Sequence, residues 1–297
     1  MVAELRVDIA SVTKELDVAL GILTEARIVS RYRRVFKGKG LDFEDFREYT
    51  TNDDASEIDW KATKRANKLL IRQYREERDM NVFFVVDVSS SMLFGSTEKL
   101  KHEYAAGLVA ALSHFVLQSG DKIGLVLFND RVVRYIETGK SMNHYYLMLR
   151  NLLTPGFYGG NYNLGNVLRF LTNIVRERSL AFLVSDFIGM KRNWEEAVKE
   201  ASAKFDGVAI MVRDPRDRKL PPQVGQVVIS DPYSDRESLI DCGDNARVQY
   251  ENYVTKEEKR IKDTFKTAMW DLWDVSTKES FVLPILKFLK RREILFK

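Results

Sequence analysis

The chain of 297 residues has a single cysteine, Cys242. That excludes an intramolecular disulfide framework and any zinc site built on clustered cysteines. Its three histidines, His102, His114 and His144, lie far apart and lack the spacing of metal ligands. Six prolines and 16 glycines are too few for a collagen-like or low-complexity chain. Charge of one sign is scarce: 47 Lys and Arg against 43 Asp and Glu leave +4. That bias is too weak to argue for nucleic acid. The longest strongly apolar stretch, residues 82–86, is far short of the ~18–20 residues that span a bilayer. Glu4 and Asp8 interrupt the N-terminal segment, so no secretory apolar region is read there. Together these absences lead to the expectation of a cytoplasmic protein.

What is present suits a folded domain. The chain is 45% hydrophobic, enough for a core, and its 30% charged residues mix the two signs. The length admits one large domain or two modest ones. Apolar positions at helical spacing (Leu16, Ala19, Ile22, Leu23, Ala26) predict a helix within residues 4–35. A basic run, 31–39, is broken by Gly38 and Gly40 and reads as loop. It is expected to pair with the acidic stretch 42–59, whose Asp53, Asp54, Glu57 and Asp59 read as a solvated or Arg-paired loop with Trp60 in a small core. A short helix over 61–68 and a strand over 69–74 follow.

From residue 81 strands and helices alternate. Residues 82–86 form a continuous β-rich apolar run, as expected of a strand buried on both faces. Further strands are predicted at 122–128, 131–136, 180–184 and 208–212. Helices are predicted at 99–118, 143–153, 164–176 and 194–204, the last capped by Asn193. This alternation predicts an α/β, doubly wound, mostly parallel sheet. Residues 227–230 read as an edge strand before a helix over about 254–273 and a basic amphipathic tail. The expected organisation is an N-terminal region 1–78, an α/β domain 79–215, and an extension 216–297.

The strand over 82–86 runs directly into Asp87, Ser89 and Ser91. In open α/β sheets ligands bind beyond the carboxyl ends of the strands. Alternate short oxygen side chains there suit a hard divalent cation, Mg²⁺ or Mn²⁺. Asp186 ends the strand over 180–184 in the same way. Between the two lies a glycine-rich turn with Gly159, Gly160, Asn161 and Asn163, whose asparagines offer a further carbonyl oxygen.

This combination resembles the von Willebrand factor A (vWA) fold and its metal-ion-dependent adhesion site. Asp87, Ser89 and Ser91 match that site's first element and Asp186 its third. The second element departs, because Asn161 follows the glycines where the family places Thr. Residues 31–92 are also similar to the signature of the domain of unknown function 58 (DUF58) family. The similar positions include Arg31 to Phe43, Arg47, Glu48, Tyr49, Asp53, Asp54, Ile58, Asp59, Trp60 and Arg75 to Arg78. The resemblance covers roughly residues 25–215. It implies a cytosolic or membrane-associated protein that works with a MoxR-type AAA+ ATPase or its client. It also implies a metal, held by Asp87, Ser89, Ser91, Asp186 and Asn161, that engages a partner's carboxylate.

Other chemistries fare worse. An aspartyl phosphohydrolase would want a second carboxylate two residues after Asp87, where Ser89 stands. No Ser-His-Asp arrangement, G-x-G-x-x-G or P-loop is recognisable, so the expectation is a non-enzymatic adaptor. Contact of the basic tail with an anionic membrane stays open. Nucleic acid is not expected as a partner.

Overall fold

The computed structural model describes residues 42–50, 53–75, 79–190, 193–221, 225–234, 236–282 and 284–287. The predicted helix within 4–35, the basic run 31–39 and the tail 288–297 lie outside these.

The described residues open with strand β1 (Asp42–Glu48), helix α1 (Trp60–Ala66) and strand β2 (Leu70–Arg75). β1 and β2 form an antiparallel pair separate from the main sheet. Charge density hides β1 in the sequence, and its register also shifts between Phe43 and Asp45. A bulge of this kind breaks the period of two by which a strand is recognised. Arg47 and Asp53 do pair, at 2.7 Å. Trp60, expected in a small core, is instead 67% exposed.

The central sheet is built from β3 (Asn81–Asp87), β4 (Lys122–Phe128), β5 (Val132–Gly139), β6 (Ser179–Ser185), β7 (Phe205–Arg213) and β10 (Asp271–Ser276). Its order is β10-β7-β6-β3-β4-β5. All neighbours are parallel except β4 and β5. Helices α2 (Lys101–Gln118), α3 (Met142–Leu152), α4 (Leu164–Ile174), α5 (Trp194–Ser202) and α6 (Asp244–Thr267) flank it. This is the predicted α/β, doubly wound, mostly parallel architecture.

Alternation within β3 explains the layering. Val82, Phe84 and Val86 join one core with residues of α2 and α3. Phe83 and Val85 join the other with residues of α4, α5 and α6. A strand buried on both faces has no polar side, as its sequence indicates. α2 is apolar around most of its surface and correspondingly buried. Among the described residues no helix is long and apolar enough to cross a membrane.

Two C-terminal expectations are corrected. Residues 226–230 do form a strand, β8 (Gln226–Ser230), but it pairs with β9 (Glu237–Asp241) in a hairpin of its own. One edge of the central sheet is β10, so the sheet draws on residues well past 215. β10 is concealed because α6 stops at Thr267 without the usual glycine signal. Met269 takes the left-handed conformation there, with φ 56°, a role Gly or Asn ordinarily fills. α6 also begins ten residues before the predicted start. It buries only Ile261 and Phe265, so its first half carries no apolar stripe. Asn193 does precede α5, but at φ 68° and without a capping side-chain bond.

β10 packs tightly on β7. The Trp270 indole lies so close to Gly207 that a Cβ there would fall inside the ring. Gly207→Ala is therefore expected to destabilise the protein by about 1–3 kcal/mol, the usual range for overpacking. Urea unfolding measures this, with the midpoint falling and the slope unchanged.

Candidate metal centre at the ends of β3 and β6

The strand order decides where the site forms. The chain runs outward through β4 and β5, then returns to place β6 on the other side of β3. Such a switch point opens a crevice at the carboxyl ends of the two strands. Asp87 ends β3, and Asp186 follows the last residue of β6.

Asp87 is fully buried. Its Oδ1 accepts the Ser89 N–H at 2.8 Å and its Oδ2 accepts the Ser185 hydroxyl at 2.6 Å. A short 3-10 turn, Ser90–Leu93, then folds the chain back. This sets the Ser89 and Ser91 hydroxyl oxygens 3.3 Å apart, both buried. The glycine-rich loop is laced to this turn. Ser90 donates to the Gly160 carbonyl at 3.0 Å, and Gly159 donates to the Val88 carbonyl at 2.7 Å. Gly159 and Gly160 hold φ values of 118° and 86°, backbone that L side chains rarely adopt.

The second loop turns inward at Tyr162 rather than Asn161. Asn161 is exposed, whereas the buried Tyr162 hydroxyl lies 3.3 Å from Ser185 Oγ. Asn163 caps α4 by accepting the Asn166 N–H at 3.3 Å. The structure thus brings Asp87, Ser89, Ser91 and Asp186 into one neighbourhood and leaves the Asn161 side chain outside it.

Asp186 is engaged. The Lys101 ammonium, buried in the first turn of α2, reaches its Oδ2 at 2.7 Å. It also reaches Asp217 at 3.1 Å. Ile188 donates its N–H to Asp186 Oδ1 at 2.9 Å. Burial alone would lower the Lys101 pKa, but Asp186 and Asp217 outweigh it and hold the ammonium above its ordinary value. Among the described residues Asp87 has no ion pair, and its hydrogen-bond donors are neutral. Burial, and next the charge on Asp186, push its carboxyl up to about 7, against the pull of the Ser185 and Ser89 hydrogen bonds. Burial, then the Asp87 charge, likewise raise the Tyr158 and Tyr162 phenols.

Tyr233, in the turn between β8 and β9, closes the top. Its hydroxyl donates to the Ile188 carbonyl at 2.9 Å, and burial raises its pKa against the opposing pull of the Ser91 and Ser89 hydroxyls.

The donors fit a hard cation. Asp87, Ser89 and Ser91 could supply one carboxylate and two hydroxyl oxygens, and the raised Asp87 pKa marks a shortage of positive charge at that point. Among the described residues no three His, Cys, Asp or Glu side chains cluster to hold a metal, so a cation here depends on the hydroxyls. His102 and His114 instead pack on Tyr158 and Tyr145, with ring centroids 4.9 and 5.5 Å apart.

Sequence reasoning missed Lys101, Ser185, Tyr162, Asp217 and Tyr233. Lys101 did leave a signal. A lysine opening a helix runs against the helix dipole and implies carboxylates waiting for it.

The family described as "Protein of unknown function DUF58" matches residues 45–260. "Uncharacterized protein Rv1480" of Mycobacterium tuberculosis (strain ATCC 25618 / H37Rv) is 28% identical over 261 residues, 86% of this chain and 80% of that one. Among solved structures, the conserved hypothetical protein BatB from Bacteroides thetaiotaomicron superposes with a TM-score of 0.48 at 15% identity, covering 73% of this chain and 98% of that one. A von Willebrand factor type A structure from Catenulispora acidiphila superposes with a TM-score of 0.42 at 11% identity, covering 75% and 43%.

Proposed function

The chain belongs to the DUF58 family, and on that premise we propose that it is a non-enzymatic binding module that holds a divalent cation, Mg²⁺ or Mn²⁺, for a partner protein's carboxylate. The observation that carries this reading is the buried Asp87 carboxylate, which has no ion pair among the described residues, beside the paired Ser89 and Ser91 hydroxyls at the switch point. Two hydroxyls and one carboxylate leave a divalent ion with net positive charge. Such an ion attracts an acidic side chain from outside.

Asp87 would hold the ion directly, with Ser89 and Ser91 beside it. Asp186, paired to Lys101, would shape the field rather than surrender its ammonium. Asn161 would contribute only if its exposed loop turned inward. A MoxR-type AAA+ ATPase or its client is the proposed partner, on the strength of the family resemblance. We infer a cytoplasmic location, with residues 288–297 suited by composition to peripheral contact with an anionic membrane.

Calorimetric titration of Mg²⁺ and Mn²⁺ into the chelator-treated protein tests the reading. Saturable binding is expected, and its pH dependence follows from Asp87. The ion must displace the proton, so affinity should fall about tenfold per pH unit below the Asp87 pKa and level off above it. That pKa lies at about 7. Absence of binding at about pH 8 with millimolar metal would overturn the cation reading.

A further inference from the structure

The β8–β9 hairpin takes no part in the central sheet; its strands pair with each other. A two-stranded hairpin is at best marginally stable alone. Its cross-strand partners Val228 and Leu239 are 57% and 64% exposed, so that face gains little from burial. The opposite face is half-buried at Val227, Ile229 and Ile240, and a side-chain hydrogen bond holds the tip. Around the turn, Asp231, Pro232 and Ser234 are exposed while Tyr233 points inward. There the phenol bonds the Ile188 carbonyl at 2.9 Å. The ring lies against Gly189, where a Cβ would come within 2.5 Å of it. Gly189 holds φ 75°, so this position suits glycine both for its backbone and for the ring seated on it. Tyr233 thus fastens the hairpin to the loop after β6, which carries Asp186.

We propose that the β8–β9 hairpin is a retractable cover over the Asp87 pocket, latched by Tyr233, and that it lifts when a cation takes the serine hydroxyls, which opens the pocket to an incoming acidic side chain. The proposal rests on the cation reading of the pocket. The latch is a hydrogen bond and a ring contact on an otherwise lightly held hairpin. Elements with so few buried contacts open locally at low cost.

The test compares the full-length wild type with Tyr233→Ala, using hydrogen exchange by mass spectrometry and Mn²⁺ titration. Without metal, Tyr233→Ala should speed exchange about fivefold to tenfold in segments 226–241 and 187–190, as expected for losing a hydrogen bond and its packing. Mn²⁺ should speed exchange of 226–241 in the wild type and leave the variant unchanged. The variant should bind Mn²⁺ about fivefold more tightly, because no hydroxyl has to be displaced. Unchanged exchange in Tyr233→Ala would overturn the latch. So would slower wild-type exchange on adding Mn²⁺, or weaker Mn²⁺ binding by the variant, since Tyr233 would then belong to the bound state. If the wild type takes up no Mn²⁺, the cation reading fails, and the metal-free exchange comparison still decides the latch.

Discussion

Asp87→Asn is expected to abolish Mg²⁺ and Mn²⁺ binding and to leave the metal-free protein more stable than wild type at pH 8. The first effect follows from charge. The variant keeps the shape and loses the Asp87 carboxylate, whereas Asp186 is already paired with the Lys101 ammonium. The second follows from linkage. In the folded, metal-free state burial and the Asp186 charge hold the Asp87 carboxyl at about 7. Its ordinary value is 3.8. The folded state therefore keeps a proton that the unfolded chain releases. The corresponding stability is complete below the unfolded value and is lost as pH rises through the folded one. Asparagine has no proton to lose, so this decline between about pH 4 and 7 should vanish. Its amide can still accept from the Ser89 N–H and donate to Ser185 Oγ, the two partners Asp87 has now. Asp87→Ala should also end binding and leave the domain folded, although it strips the Ser89 N–H of its acceptor. Urea melts at several pH values with chelator, alongside calorimetry, measure both effects. Retained metal binding in either variant would sink the proposed mechanism.

The second large effect is expected at Lys101. Its ammonium is 1% exposed and sits between Asp186 and Asp217, themselves buried. Lys101→Met keeps most of the volume and leaves two buried carboxylates without their shared cation. Removing one partner of a buried pair typically costs about 3–5 kcal/mol, because the remaining charge is stranded. For a chain of this size that corresponds to a fall in Tm on the order of 10 °C. Adding Asp217→Asn should recover part of the loss, since one stranded charge is removed. Thermal unfolding of both single variants and the double variant gives the coupling. A shift of only a degree or two in Lys101→Met would mean that solvent reaches the cluster and that the triad contributes little.

The fold was readable because its signals are local. Residues 82–86 and 180–184 are apolar without interruption, and that alone implies strands covered on both faces. Where local signals are weak, the reading failed for identifiable reasons. β1 is charged and bulged, the first half of α6 holds no fully buried residue, and Met269 ends α6 in a conformation that glycine usually announces. The candidate site divides in the same way. Asp87, Ser89 and Ser91 are neighbours in sequence, and Asp186 sits at a recognisable strand end. Their partners were not recoverable by spacing: Ser185 lies 98 residues from Asp87, and Lys101 lies 85 from Asp186 and 116 from Asp217.

By itself the amino-acid sequence determined the alternation of strands and helices, the burial of β3 and β6, and the oxygen-bearing residues at their ends. Each of these follows from the period of side chains along a few residues of backbone. Only the tertiary structure decided that β6 lies beside β3, that Lys101 belongs to Asp186, that Tyr162 rather than Asn161 faces inward, and that Tyr233 bonds the loop after β6. Those outcomes depend on which strands become neighbours. That choice is made by burying two apolar layers at once, a property of the packed chain and of no single segment.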